Sequence, residues 1–228
     1  IAFTLSTTAI RCSPVAGSPF AITATMGPNP NYTVTVFQGT LAITLRLATV
    51  SANAKNRPYG DMNPALDAVV VNEAVGCDPV RYTLSTTASQ FSPVGDGPYP
   101  IAVVLGDNPN YSVSVPPTSG ALTVTPRTAT VRANDKSKTY GDPNPALDAN
   151  VTGEADPADV VDYNMGALMG GDPILYTLST TATQLSGVAG RPYAITVTLG
   201  KNPNYNVTAV HGALTVGAKH ATVSANAK

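Results

Sequence analysis

The stretch YTLSTTATQLSGVAGRPYAITVTLGKNPNYNVTAVHGALTV (176–216) decides the fold. Its apolar residues alternate with polar ones instead of recurring three and four apart, which is the period of half-buried strands. Gly and Pro-Asn clusters separate the alternating segments and predict turns between short strands, as in a sandwich, barrel or curled sheet. The predicted core face carries Tyr193, Ile195, Val197, Leu199, Tyr205, Val207, Ala209, Leu214 and Val216.

Pieces of that stretch recur along the chain in one fixed order. Matching motifs lie 79 to 94 residues apart, a spacing that is typical of a tandem array of small domains. An L-S-T-T-A segment, an N-P-N-Y turn, a closing G-x-L strand and an opening A-T-V block each occur three times. They lie at 3–9, 82–88 and 176–182; at 29–32, 108–111 and 202–205; at 39–43, 120–124 and 212–216; and at 48–55, 129–136 and 221–228.

The motif order predicts a mainly β protein of small β-grasp-like or Ig-like domains, arranged as beads in a linear array. The predicted division is a partial repeat over 1–47, a complete short repeat over 48–128, a complete long repeat over 129–219 and the first strand of a further repeat over 220–228. The long repeat has about 13 extra residues within 150–175. There DPADVVDY (156–163) predicts either one or two turns of helix or a surface loop.

Composition excludes several classes of protein. The 13 basic and 14 acidic residues are scattered singly, so no basic stripe is present to bind nucleic acid. No run of about 18 apolar residues exists, so this segment is not expected to insert into a membrane. The low charged fraction of 12%, with abundant Thr and Asn, favours an extracellular or cell-surface protein.

The Y-G-D-x-N-P motif (59–64 and 140–145), together with L-S-T-T-A, N-P-N-Y and G-x-L-T-V, resembles the MBG family of bacterial surface-protein repeats in its YGX-type form. Such repeats occur in long arrays in large adhesins and are associated with β-grasp-type modules. The resemblance therefore implies a surface-exposed stalk or adhesive array, but it supplies no ligand.

The Y-G-D motif itself predicts a tight turn. Tyr59 and Tyr140 are expected to pack beneath it, and Gly60 and Gly141 to supply backbone freedom. The alternative is a calcium site formed by two pairs of acidic residues, because carboxylate oxygens are the ligands that Ca²⁺ prefers. Those residues are Asp61 with Asp67 and Asp142 with Asp148.

The two cysteines leave two alternatives open. A secreted protein favours a disulfide between Cys12 and Cys77, within one chain or between chains. The repeat alignment instead matches Cys12 with Phe91 and Leu185, which implies a buried apolar position, and Cys77 with Gly171 in a turn.

No residues point to catalysis, a cofactor or a metal centre. His211 is expected to be a variable turn residue, and His220 lies between repeats. The chain is therefore not expected to be an enzyme. Asn31, Asn110, Asn150 and Asn206 match the glycosylation acceptor pattern, which arises easily by chance in a chain rich in Asn and Thr.

Two functions remain open. The first is a structural spacer in a surface stalk or extracellular filament, whose partner is another copy or a neighbouring repeat. Residues 221–228 repeat an opening strand, so Ala221, Val223 and Ala225 are the predicted face of an assembly strand that completes a neighbour head to tail. The alternative is an adhesin module that binds host or environmental glycan, for which Tyr163 is the unmatched aromatic residue.

Overall fold

The protein, described as a computed structural model over residues 1–155, 171–190 and 192–225, is mainly β. The described residues form 17 strands and three one-turn 3-10 helices. The predicted helix at 156–163 lies outside the described residues. The strands are β1 (Phe3–Thr7), β2 (Phe20–Met26), β3 (Gly39–Leu41), β4 (Arg46–Ala52), β5 (Lys55–Pro58), β6 (Ala68–Val71), β7 (Tyr82–Thr86), β8 (Tyr99–Leu105), β9 (Tyr111–Ser114), β10 (Ala121–Thr125), β11 (Arg127–Ala133), β12 (Lys136–Thr139), β13 (Ala149–Thr152), β14 (Tyr176–Thr180), β15 (Tyr193–Leu199), β16 (Tyr205–Val210) and β17 (Gly212–Gly217).

Each complete repeat consists of a three-stranded and a four-stranded sheet. The strand orders are β6-β4-β9 and β5-β10-β8-β7 in the short repeat, and β13-β11-β16 and β12-β17-β15-β14 in the long one. The opening strand is central in its sheet: β11 pairs antiparallel with β13 and parallel with β16. The two sheets of each complete repeat make it a β-sandwich, in agreement with the predicted mainly β class.

The core of the long repeat lies between its two sheets, where residues of β11, β15 and β17 pack in one cluster. Val131, Ile195 and Leu214 are fully buried, and Arg132, Ala194 and Thr215, which are adjacent to them on β11, β15 and β17, are exposed. This alternation confirms the predicted core face, whose other members are buried or half-buried. Burial of each such side chain contributes about 1.5–3 kcal/mol to folding.

The first repeat is different. Its strands form a single antiparallel sheet in the order β1-β2-β3, and no residue of 1–45 is fully buried. The face of β2 that carries Phe20, Ile22, Ala24 and Met26 is half-buried, whereas Leu5 on β1 is 63% exposed.

Contacts divide the chain into two compact units. The first unit comprises residues 1–55, 65–87 and 100–121, and the second comprises 56–64, 88–99 and 122–228. All five boundaries between these segments fall within the short repeat. Each unit therefore contains one junction at which one repeat meets the next.

Candidate functional site

The two junctions are the places where the repeated motifs converge. We define junction I, in the first unit, as the loop 11–15 with residues 72–78, Arg46 and Asn110–Tyr111. Junction II, in the second unit, comprises the turn 59–61 and the loop 91–94 of the short repeat with residues of the long repeat. The latter are Arg127, 153–155, 171–172 and Asn204–Tyr205.

The second Asn of N-P-N-Y bridges the two repeats at both junctions. In junction II the Val94 N–H donates to Asn204 Oδ1 at 2.8 Å, and Asn204 Nδ2 donates to Asp172 Oδ2 at 2.7 Å. Val94 begins a one-turn 3-10 helix, whose first N–H has no partner within the helix. The Asn side chain supplies the missing acceptor, and we call this arrangement the asparagine clamp.

Junction I contains the same clamp. The Val15 N–H donates to Asn110 Oδ1 at 2.9 Å, and Asn110 Nδ2 donates to Asp78 Oδ2 at 3.0 Å. Val15 likewise begins a one-turn 3-10 helix. The amide of Asn110, one of the glycosylation candidates, is thus held in structural hydrogen bonds.

The Tyr of N-P-N-Y holds the acidic loop that carries the clamp's aspartate. The Tyr205 hydroxyl donates to the Asp172 carbonyl at 2.8 Å and accepts the Ala155 N–H at 3.2 Å. Tyr111 makes the matching bonds to the Asp78 carbonyl at 2.7 Å and the Ala74 N–H at 3.2 Å. Each clamp therefore rests on a buried ring whose hydroxyl is fully engaged.

At each junction the central strand of the three-stranded sheet begins with an arginine. The Arg127 N–H donates to the Asn204 carbonyl and its Nε to the Gly153 carbonyl, both at 3.0 Å. Arg46 makes the same two bonds, to the carbonyls of Asn110 and Asn72 at 3.0 and 2.6 Å. Only one residue separates β10 from β11, so the short and long repeats are joined without a flexible linker.

Junction II adds an aromatic cluster that sequence analysis did not predict. Tyr59 is 2% exposed and packs edge to face against Phe91 and Tyr205, with ring centroids 6.0 and 5.5 Å away. Its hydroxyl accepts the Asp172 N–H at 3.0 Å. Burial raises the pKa of Tyr59 and of Tyr205, so both rings are neutral. Each aromatic pair contributes about 0.5–1.5 kcal/mol beyond the area that it buries.

Asp61 lies in the predicted turn, where its N–H donates to the Pro58 carbonyl at 3.3 Å, and its carboxylate forms an ion pair. Its carboxylate Oδ1 lies 2.6 Å from Arg127 Nη1, which also donates to the Tyr59 carbonyl at 3.3 Å. The pair links the Y-G-D turn to the opening strand of the next repeat. Because both side chains are partly exposed, this ion pair contributes at most about 1 kcal/mol.

The Y-G-D turn has the predicted backbone. Gly60 and Gly141 adopt positive φ of 84° and 88°, which confirms their role in the turn. A buried Arg57 holds the first turn by donating Nε to Asn63 Oδ1 at 2.7 Å and Nη1 to the Gln90 carbonyl at 3.0 Å. In the long repeat Lys138 takes this place and donates to the Gln184 carbonyl at 3.2 Å.

The prediction that Tyr140 packs beneath its turn is wrong. Tyr140 is 40% exposed, although the turns around Tyr59 and Tyr140 have the same backbone conformation. The difference is that Tyr59 lies against Phe91 and against Tyr205 of the next repeat. The turn therefore places the tyrosine, whereas a neighbouring repeat buries it.

The structure joins Cys12 to Cys77 by a disulfide within the chain, with 5.6 Å between the Cα atoms. Cys12 is exposed, so the alternative of a buried apolar position is wrong. At the matching positions of junction II, a packing contact takes the place of this disulfide. There Phe91 lies against Gly171, where an added Cβ would come within 2.7 Å of the Ala155 carbonyl oxygen and 3.2 Å of the Phe91 ring.

Three of the four acidic residues of the calcium alternative pair with cations: Asp61 with Arg127, Asp67 with Lys55 and Asp148 with Lys136. Lys55 Nζ donates to Asp67 Oδ2 at 2.8 Å and Asn53 Nδ2 to Asp67 Oδ1 at 2.7 Å. Lys136 and Asn134 bind Asp148 at the same distances. The bonds from lysine and then asparagine lower the pKa of both aspartates. Within the described residues, no group of three or more His, Cys, Asp and Glu could hold a metal ion.

The remaining candidates lie at the surface or outside the described residues. His211 Nδ1 accepts the Val197 N–H at 3.0 Å from an exposed position. Residues 221–225, the described part of the predicted assembly strand, belong to no strand and are exposed. Tyr163 lies outside the described residues. No helix in the described part of the chain is long and apolar enough to cross a membrane.

These observations define the class of protein: a tandem array of two-sheet β-sandwich repeats. The model of the MBG domain (YGX type) matches residues 48–123 and 129–215, which together exceed half of the chain. The chain therefore belongs to the MBG family of YGX type.

Other comparisons add little to this assignment. Among solved structures, the I9–I11 tandem from titin matches 94% of this chain and 82% of its own length, at 13% identity and a TM-score of 0.26. No curated protein matches the chain.

Proposed function

We propose that this chain is a structural repeat region of a bacterial cell-surface or secreted protein, in which MBG repeats act as spacers of a stalk or extracellular filament. The observation that carries the proposal is the asparagine clamp, which occurs with the same partners at both junctions. A spacer has to transmit its orientation from one repeat to the next. Specific side-chain bonds at the joint do this, whereas a Gly/Ser-rich linker would not.

Two further observations support the surface location. The family membership is consistent with a repeat region of a surface protein. The Cys12–Cys77 disulfide fits an oxidising compartment, because cytosolic reductants keep most thiols reduced. Protease treatment of intact cells of the source bacterium should therefore release fragments of the chain, detected by mass spectrometry. Release only after lysis would contradict the surface location.

Small-angle X-ray scattering of the full chain tests the spacer function. Replacing both clamp residues, Asn110→Ala with Asn204→Ala, should loosen the joints, so that the distribution of interatomic distances changes and broadens. The control is Asn31→Ala, because Asn31 is the matching residue of the first repeat and is exposed. Identical scattering from the double variant and the wild type would argue against a spacer whose joints are held by the clamp.

Self-association into a filament is the finer form of the proposal. The predicted strand face of Ala221, Val223 and Ala225 is exposed, and Val223 is 95% exposed. Analytical ultracentrifugation of the chain and of a variant lacking 221–228 should give a larger assembly only for the intact chain. Equal sedimentation of the two would contradict strand complementation. The glycan alternative rests on Tyr163 and stays a prediction, to be checked by glycan-array binding of Tyr163→Ala.

A further inference from the structure

The long repeat displays a second copy of the surface that the short repeat contributes to junction II. Tyr140, Asp142, Leu185 and Val188 match Tyr59, Asp61, Phe91 and Val94 in the repeat alignment. The supporting bonds are the same as well: Gln184 Nε2 donates to the Gly141 carbonyl at 2.8 Å, and Gln90 Nε2 to the Gly60 carbonyl at 2.7 Å. This surface is therefore already in the conformation that binds a repeat in junction II.

Two apolar side chains of this surface, those of Tyr140 and Leu185, are exposed. Tyr140 is 40% exposed against 2% for Tyr59, and Leu185 is 70% exposed whereas Phe91 is half-buried. In junction II this surface is covered by Asn204 and Tyr205 of the long repeat, which lie where its opening strand begins. We call this end of a repeat the opening end. The known occupant of the matching surface is thus another MBG repeat.

An independent observation comes from residues 221–225. Their sequence, ATVSA, is identical to residues 48–52 of β4. In β4 this segment is the central strand of a sheet, and Ala48, Val50 and Ala52 are 2%, 0% and 7% exposed. Val223, which matches Val50, is 95% exposed. Residues 221–225 thus carry the apolar face of a central strand but are paired with no sheet.

We infer that the long repeat binds the opening end of another MBG repeat through a closing face, which consists of Tyr140, Asp142, Leu185, Val188 and residues 221–225. The inference rests on the proposed spacer function, since it assigns the next joint of the same array. The bound repeat supplies a tyrosine ring against Tyr140 and an asparagine clamp to the Val188 N–H. Residues 221–225 become the central strand of its three-stranded sheet.

The side chain at position 185 also selects the repeat that binds. Phe91 packs over Gly171, and Cys12 is bonded to Cys77, so a large side chain faces glycine and a cysteine faces cysteine. Leu185 is large. The repeat that binds the closing face therefore carries glycine or another small residue at the position of Gly171.

The test uses the full chain, extended after Lys228 by a second copy of residues 56–126. Because 221–228 is identical to 48–55, the extension completes a second short repeat that contains its own copy of Cys77. In this chain Leu185→Cys places a thiol at the position of Cys12. We expect it to form a disulfide with the copied Cys77, giving near-complete loss of the free thiol.

Peptide mapping should then find the new disulfide beside the native Cys12–Cys77 bond, in chains that remain monomeric on a non-reducing gel. The control is Ala189→Cys on the same loop. Its counterpart Gly95 faces open space, with nothing within 4 Å of an added Cβ. The thiol of the control should stay free. Equal reactivity of the two introduced thiols would overturn the proposal.

A second measurement needs no added cysteine. Nitration of Tyr140 should be rapid in the 228-residue chain and should fall in the extended chain to the level of the buried Tyr59. An appended repeat that stays unfolded, or a Tyr140 that remains reactive, would also overturn the closing face. The scattering test on the 228-residue chain probes only junctions I and II. A failure of the closing face therefore does not decide the spacer function, which the scattering test decides.

Discussion

Junctions I and II share one hydrogen-bonding frame but are closed by different chemistry. Both have the asparagine clamp, the engaged tyrosine hydroxyl and the opening arginine. Junction I is closed by a disulfide, and junction II by a cluster of three aromatic rings. The difference teaches that the frame is the constant part of a junction, whereas the closing contact can change from one junction to the next.

The physical reason lies in what each part recognises. Across the junction the clamp asparagine accepts a backbone N–H, which every repeat presents whatever its side chains are. Its second bond goes to an aspartate of its own repeat, and the tyrosine hydroxyl binds backbone N–H and carbonyl groups. The closing contact joins two side chains, so its two partners have to fit each other. Cys12 with Cys77 and Phe91 with Gly171 are two such fitted pairs at matching positions.

The largest expected effect is the loss of the aromatic closure of junction II. Tyr59→Ala removes a fully buried ring and should lower the free energy of unfolding of the second unit by about 3–5 kcal/mol. Hydrogen exchange at the β11 amides measures this loss. The matched control, Tyr140→Ala, removes an exposed ring and should cost less than about 1 kcal/mol. Similar losses in both variants would mean that the neighbouring repeat does not stabilise Tyr59.

Loss of the disulfide that closes junction I is expected to have the second-largest effect. Cys12→Ala with Cys77→Ala opens a bridge across 65 residues and should cost the first unit about 2–4 kcal/mol, measured by hydrogen exchange at the β4 amides. A second double variant, Cys12→Phe with Cys77→Gly, installs the pair found in junction II. It should recover part of the loss, and no recovery would show that the two closures are not interchangeable.

Removing the clamp should have a smaller effect that is alike at the two junctions. Asn204→Ala leaves the Val94 N–H without its acceptor and should cost about 1–3 kcal/mol. Asn110→Ala should cost a similar amount in the first unit. Faster exchange of the Val94 and Val15 amides, read by mass spectrometry or NMR, locates the loss. A large difference between the two variants would contradict a shared frame.

The ion pair of junction II is expected to matter less. Asp61→Asn should lower the free energy of unfolding by at most about 1 kcal/mol, because Asp61 and Arg127 are both partly exposed. Urea unfolding at low and high salt separates this contribution, which salt should screen. Asp142→Asn is the control, since Asp142 forms no ion pair among the described residues. A salt-independent loss in Asp61→Asn would point to packing rather than charge.

The smallest effect should come from the surface pairs of Asp67 and Asp148, which are identical in the two repeats. Bonds from lysine and asparagine hold both carboxyl pKa values below the ordinary 3.8, so the folded state favours the charged form. Their stabilisation is present above pH 3.8 and is lost as the pH falls through the lowered pKa. Asp67→Asn and Asp148→Asn should each flatten this acid limb equally, as seen in unfolding midpoints between pH 2 and 5. Unequal flattening would show that the two aspartates do not contribute equally in the two repeats.

Much of the fold could be predicted from residue patterns. The alternation of apolar and polar residues predicted the buried faces of β15, β16 and β17. The glycines of Y-G-D predicted the backbone freedom that Gly60 and Gly141 use at positive φ. The candidate site could not be found in this way. N-P-N-Y satisfied the criteria for a turn, and nothing local showed that Asn204 would bind Val94, which lies 110 residues earlier in the chain.

The sequence by itself determined the repeat, its strands and the place of each turn, because periodicity and turn chemistry act over a few residues. Only the tertiary structure decided which copy of a motif is buried. Tyr59 and Tyr140 occupy the same turn, yet one is 2% exposed and the other 40%. Burial depends on which groups from a distant part of the chain lie against a side chain. The motifs of a repeat can thus be recognised from local sequence, whereas the contacts between repeats depend on residues that are distant in the chain.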